Sequence, residues 1–223
     1  MFLRLIRLLG IFFILIFFSC SGEPPQFQEV WWQLNLINDF STEDPIQSLS
    51  LFIHAIDDDG DSDLEKIYLI NDESQLVWNI PLELWTTHTD QQIKWIGFNR
   101  LMAPGDGIFP EGDYRILLVD MGGERDEYSF YLRNNIVSNE ELALPEVEYN
   151  QKTITVISDY PKFQIWYYDN DGQLMEKSQD LLMGSYQWDQ VNRNISRRAS
   201  SFTIYTEPQS GSWGLISRSY YFK

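Results

Sequence analysis

The stretch Pro110–Leu132, PEGDYRILLVDMGGERDEYSFYL, decides the fold. Tyr114 to Asp120 and Glu127 to Leu132 are dense in aromatic and branched apolar residues, the composition that suits a pleated, half-buried surface. Between them, Met121-Gly122-Gly123-Glu124 supplies the glycines that a tight reversal of the chain requires. The stretch therefore predicts a β-hairpin.

Working outward, the same period of two continues in both directions. Phe27 to Ile37 and Leu49 to Ile56 read as strands, as do Lys66 to Ile70 and Gln75 to Ile80 around the polar turn Asn71-Asp72-Glu73-Ser74. Ile93 to Leu101 adds another strand, and Pro81 to Trp85 reads as either a short helical turn or part of a strand. No long helical period competes.

Pro110-Glu111-Gly112-Asp113-Tyr114, with its following apolar strand and Asp-containing turn, resembles the last hairpin of fibronectin type III and related bacterial immunoglobulin-like domains. The resemblance covers residues 27–134 and implies a β-sandwich with Tyr114 packed at its corner. The Cys…Trp…Cys signature of antibody domains is absent.

Asn134 to Pro145 breaks the alternation, and a second, smaller β unit follows. Its predicted strands are Thr153 to Ile157, Lys162 to Tyr168, Gln173 to Met175, Tyr186 to Asp189, Ser201 to Tyr205 and Leu215 to Phe222. Asn170-Asp171-Gly172 and Pro208-Gln209-Ser210-Gly211 are its turns. Both units end in a hairpin with a Gly-containing turn and an aromatic last strand, a likeness too loose to be read as a repeat.

The N-terminus carries an address. Arg4 and Arg7 precede the apolar run Leu8 to Phe18, which is shorter than the roughly 20 residues that span a bilayer and suits a signal peptide. Phe17-Phe18-Ser19-Cys20 resembles the lipobox of bacterial lipoproteins, in a relaxed form, and places the only cysteine of the chain where that box needs it. The resemblance implies cleavage before Cys20 and diacylglycerol on its thiol. It also implies a bacterial cell-envelope location, lipid-anchored at the outer membrane, since no Asp follows the Cys. More than one acyl chain makes such anchoring stable.

The expected organisation is an all-β protein: two tandem immunoglobulin-like β-sandwich domains after a cleaved lipoprotein signal peptide. The boundaries are a signal peptide at 1–19, a lipidated tether at 20–26, a sandwich at 27–137, a linker at 138–144 and a smaller sandwich at 145–223.

Charge limits the partners. The 223 residues carry 16 basic and 33 acidic groups, a net charge of -17 that deepens to -19 when Arg4 and Arg7 leave. Nucleic acid, which is bound through a cationic footprint, is excluded as a partner. Anionic lipid head groups repel the same charge. The membrane is therefore a partner only through the lipid on Cys20, and an envelope protein or glycan is the other partner class.

Two groups of residues stand out as sites. Asp57, Asp59, Asp61 and Asp63 lie in the loop DDDGDSD, residues 57–63, where a solvated turn competes with weak calcium binding. The EF-hand spacing fails, because with Gly60 at the sixth position the first would be Ala55 and the twelfth Lys66. No other cofactor is expected. Adjacent Trp31 and Trp32 on one strand must point to opposite faces, so one enters the core and the other faces solvent, the second unit or a partner.

Catalysis has little support. His54 lies in a strand pattern and His88 in a polar loop, and no nucleophile elbow, P-loop or zinc-protease motif occurs. Arg193, Arg197 and Arg198 form a local basic segment that suits a solvated loop or an acidic contact. The expected function is non-catalytic: adhesion, scaffolding or assembly. The alternative is a carbohydrate- or peptide-binding module using exposed Trp or Tyr, assisted by calcium.

Overall fold

The computed structural model describes residues 22–38, 45–58, 60, 62–90, 92–105, 107–134, 144–172, 174–191, 199–207 and 213–222. The strands of the N-terminal part are β1 (Gln26–Ile37), β2 (Ile46–Ile56), β3 (Leu64–Asn71), β4 (Leu76–Pro81), β5 (Thr86–Asp90), β6 (Ile93–Met102), β7 (Gly112–Asp120) and β8 (Arg125–Leu132). Those of the C-terminal part are β9 (Glu146–Tyr149), β10 (Thr153–Ile157), β11 (Lys162–Tyr168), β12 (Leu174–Lys177), β13 (Leu181–Leu182), β14 (Gly184–Gln187), β15 (Ser201–Thr206), β16 (Trp213–Ile216) and β17 (Tyr220–Tyr221). One 3-10 turn (Leu82–Leu84) and one helical turn, α1 (Trp188–Val191), complete the described elements.

In the N-terminal part, β1-β2-β6-β5 faces β4-β3-β7-β8. Lettered in chain order, these are A-B-E-D against C′-C-F-G, the strand order of an immunoglobulin-type sandwich. Alternation on each strand fills the space between the sheets. Leu49, Leu51 and Ile53 of β2 meet Ile67 and Leu69 of β3 and Ile116 and Leu118 of β7 in one buried cluster. Aromatic rings supply much of the core mass: Trp78 stacks on Phe109 at 5.3 Å and Tyr114 on Phe130 at 5.7 Å.

Tyr114 forms the corner that its resemblance implied. It is fully buried at the start of β7, and its hydroxyl donates to the Pro110 carbonyl at 2.8 Å. Burial pushes its phenol up to about 12 and also raises Tyr167 and Tyr205 above the ordinary value. A phenol is neutral when protonated, so these folded-state pKa values lie above those of the unfolded chain. The resulting stability is complete below pH ~10 and is lost as pH rises from there toward 12. Between pH 8 and pH 11, Tyr114 alone should cost on the order of 1 kcal/mol, with further losses in the same direction from the other two. Urea midpoints at the two pH values check this, and an unchanged midpoint contradicts it.

The C-terminal part uses the same order with shorter strands: β9-β10-β14 is A-B-E and β12-β11-β15-β16 is C′-C-F-G. Phe163, Ile165 and Tyr167 pack there with Phe202, Ile204 and Trp188.

The two parts share a sheet. The order β12-β11-β15-β16-β1-β2-β6-β5 is continuous, because β16 pairs in parallel with β1 from Leu34↔Trp213 to Ile37↔Ile216. This seam explains why Gln33 to Ile37 are all buried despite alternating polar and apolar residues. Their polar side chains find partners on the sheet's outer face. Asn35 Nδ2 donates to Ser50 Oγ at 3.0 Å, and Ser50 donates onward to the Asn99 carbonyl at 2.9 Å. The Tyr205 hydroxyl lies 2.8 Å from both Gln33 Oε1 and Glu207 Oε2. Ile37, Trp166, Tyr205 and Ile216 form a small apolar cluster across the junction.

Some local expectations change. His88 sits in edge strand β5, paired with Trp95, because its threonine-rich surroundings suit a pleated edge despite their polarity. The strand expected over Tyr186 to Asp189 ends at Gln187, where Trp188 turns inward and starts α1. The last strand splits into β16 and β17, and between them Ser217 Oγ accepts a hydrogen bond from the Ile204 amide. Strands β5, β9 and β13 were not anticipated.

Candidate functional site

Alternation along β1 sends the two adjacent tryptophans apart. Trp32 packs at 4.4 Å from Phe130 in the core, while Trp31 stands on the outer face, 42% exposed, with its ring 6.1 Å from Phe52. Trp31 is therefore the member of the pair available for contact.

A groove of about 580 Å³ opens where the two parts meet, lined by residues of both. Ile37 and Arg100 come from one side, and Tyr168, Asp171, Arg218 and Tyr221 from the other. Tyr221 is 70% exposed, so the groove presents an aromatic face beside charges of both signs.

The second place is acidic. The loop between β2 and β3 meets the turn between β7 and β8 at one end of the N-terminal sandwich. The Gly60 amide donates to the Asp57 carbonyl at 3.0 Å and the Asp63 amide to the Gly60 carbonyl at 2.9 Å. Gly60 sits at φ +107°, a conformation that L side chains rarely adopt. The Met121 amide then donates to the Asp63 carbonyl at 2.8 Å, joining the loop to the turn. This arrangement brings a carboxylate oxygen from each of Asp57, Asp63 and Asp120 within 4.8 Å of the others.

Asp120 differs from its neighbours in burial. It is fully buried at the end of β7, and its Oδ1 accepts the Glu124 amide at 2.8 Å. Its Oδ2 is buried with no hydrogen-bond partner among the described residues.

Of the residues singled out in the sequence, Asp57 and Asp63 come together, and Asp59 and Asp61 lie outside the described residues. Cys20 and the arginines Arg193, Arg197 and Arg198 also lie outside them. The sequence reading missed Asp120. The available signal was topological: the turns after strands B and F lie at the same end of an immunoglobulin-type sandwich, so an Asp closing β7 meets an acidic β2–β3 loop. His54 places its ring 6.2 Å from Trp95.

No protein-family model and no curated protein matches the chain. Among solved structures, it is similar to dimeric latent PorU from Porphyromonas gingivalis, at 13% identity and a TM-score of 0.33. That match covers 90% of this chain and 20% of PorU, so the chain spans about a fifth of that protein's length. It is also similar to DIP-gamma IG1+IG2, at 12% identity and a TM-score of 0.23, covering 88% of this chain and 95% of that one. The immunoglobulin-like assignment rests on the strand order and the Tyr114 corner.

Proposed function

We propose that this chain is a non-catalytic, lipid-anchored protein of a bacterial envelope whose two immunoglobulin-like modules serve as an adhesion, scaffold or assembly element. The observation that carries this reading is the shared sheet. Hydrogen bonding β16 to β1 joins the modules along a strand, which suits a rigid spacer and presents Trp31 on a broad outer face. The Arg-flanked apolar run and Ser19-Cys20 support an anchor at the tether, and the net charge of -17 keeps the body off anionic lipid.

A second reading is favoured by the groove between the modules. Tyr168, Tyr221, Arg100 and Arg218 offer stacking and hydrogen bonding to a peptide or glycan.

Two experiments test the anchor and separate the two readings. Cys20→Ala should move the protein from the membrane to the soluble fraction, and continued membrane association contradicts lipidation. In cross-linked envelopes, a protein partner lost on Trp31→Ala supports the scaffold, whereas a partner or glycan lost only on Tyr221→Ala supports the groove.

A further inference from the structure

We propose that Asp57, Asp63 and Asp120 hold a calcium ion that clamps the β2–β3 loop to the β7–β8 turn. The inference is independent of the anchor and of the scaffold reading. It starts from Asp120, which is 0% exposed and whose Oδ2 has no hydrogen-bond partner among the described residues. A buried carboxylate is costly unless it is paired, hydrogen-bonded or coordinated to a metal. Asp120 faces two further carboxylates, with one oxygen of each within 4.8 Å.

The spacing suits calcium. Oxygens that share one calcium at about 2.3–2.6 Å stand no more than roughly 5.2 Å apart, and this trio meets that limit. Magnesium requires shorter bonds and a stricter octahedron. The backbone is already committed to holding the carboxylates in place, through the bonds Gly60 to Asp57, Asp63 to Gly60, Met121 to Asp63 and Glu124 to Asp120. Gly122 keeps the approach open, since a Cβ there would lie 3.2 Å from Asp120 Oδ1. The ligands therefore come from the β2–β3 connection between the two sheets and from the end of the β7–β8 hairpin, with Asp120 as the member that the Asp-rich loop alone does not contain. Three carboxylates with water completing the shell fit the range of extracellular modules, a Kd of about 10⁻⁴ to 10⁻³ M.

The test uses the full chain in detergent, stripped with EDTA and titrated with calcium chloride by calorimetry. One saturable site is expected in the wild type, with a thermal midpoint about 5 °C higher in 5 mM calcium than in EDTA. Asp120→Asn should weaken binding at least tenfold, whereas Asp58→Asn, at an exposed position of the same loop, should leave it unchanged. Should Asp120→Asn fail to fold, Asp63→Asn and the wild-type thermal shift carry the test. No saturable heat at 10 mM calcium overturns the proposal. So does wild-type affinity in Asp120→Asn, and so does magnesium binding as tight as calcium binding.

Discussion

Gly97→Ala is expected to destabilise the protein by about 4 kcal/mol or more, the largest effect of any single methyl group in the described chain. Gly97 lies on β6 opposite Phe52 of β2 and Thr86 of β5. A Cβ there would stand 2.0 Å from the Leu51 carbonyl oxygen and 2.7 Å from Phe52 Cα. Both are backbone atoms, so no rotamer change relieves the overlap. The two strands must separate instead, breaking hydrogen bonds in the middle of the N-terminal sandwich. At roughly 2–4 °C per kcal/mol for a chain of this size, the thermal midpoint should fall by about 8–16 °C. A calorimetric scan measures it, and a fall of less than about 3 °C would show that β2 and β6 part more easily than their register implies.

Gly214→Ala should act at the seam. Its Cβ would lie 2.4 Å from Asn35 Oδ1 and 2.4 Å from the Tyr205 ring. Neither side chain is free to move aside: Asn35 is bonded to Ser50, and Tyr205 is held beside Gln33 and stacked on Trp166 at 4.4 Å. Overpacking of this kind costs about 1–3 kcal/mol. Here the cost falls on the β1–β16 pairing that couples the two parts. The expected result is a change in shape of the unfolding curve as well as a shift: one denaturant transition in the wild type, and two of smaller slope in the variant. Tryptophan fluorescence follows both parts, through Trp32 in one core and Trp188 in the other. A single transition with unchanged slope would mean that the parts stay coupled without this contact.

The sequence revealed the elements more fully than their association. Strands β1, β2, β3, β4, β6, β7 and β8 follow from alternation and turn chemistry, both of which are local. Tyr114 was legible through the resemblance of Pro110–Tyr114 to the last hairpin of fibronectin type III domains, and the contact it makes is short-range, with Pro110 four residues away. The opposition of Trp31 and Trp32 followed from the pleat alone. The seam was not legible. Gln33 and Asn35 look like outward-facing residues of an ordinary half-buried strand, and only the arrival of β16 buries them. Threonine-rich β5 lacks an apolar face of its own and becomes a strand through its neighbour β6, while four-residue β9 has an apolar face of Val147 and Tyr149 that is too short to establish a period. The acidic site was half legible. The loop announced Asp57 and Asp63, while Asp120 read as the end of a hairpin strand until the topology placed it beside them.

The seam also dictates an order of events. The hydrogen bond from Gln33 to Glu207 spans 174 positions, so the strand made among the first closes its pairing with one made among the last. Contacts of such high order slow the final folding step. Until residues 213–216 arrive, the outer edge of β1 presents unpaired amides and carbonyls to any passing strand, and the exposed indole of Trp31 sits on the same strand. A chain emerging vectorially from the ribosome would be most vulnerable to aggregation in that interval. Products truncated before Trp213 should accumulate in inclusion bodies or be recovered bound to chaperones.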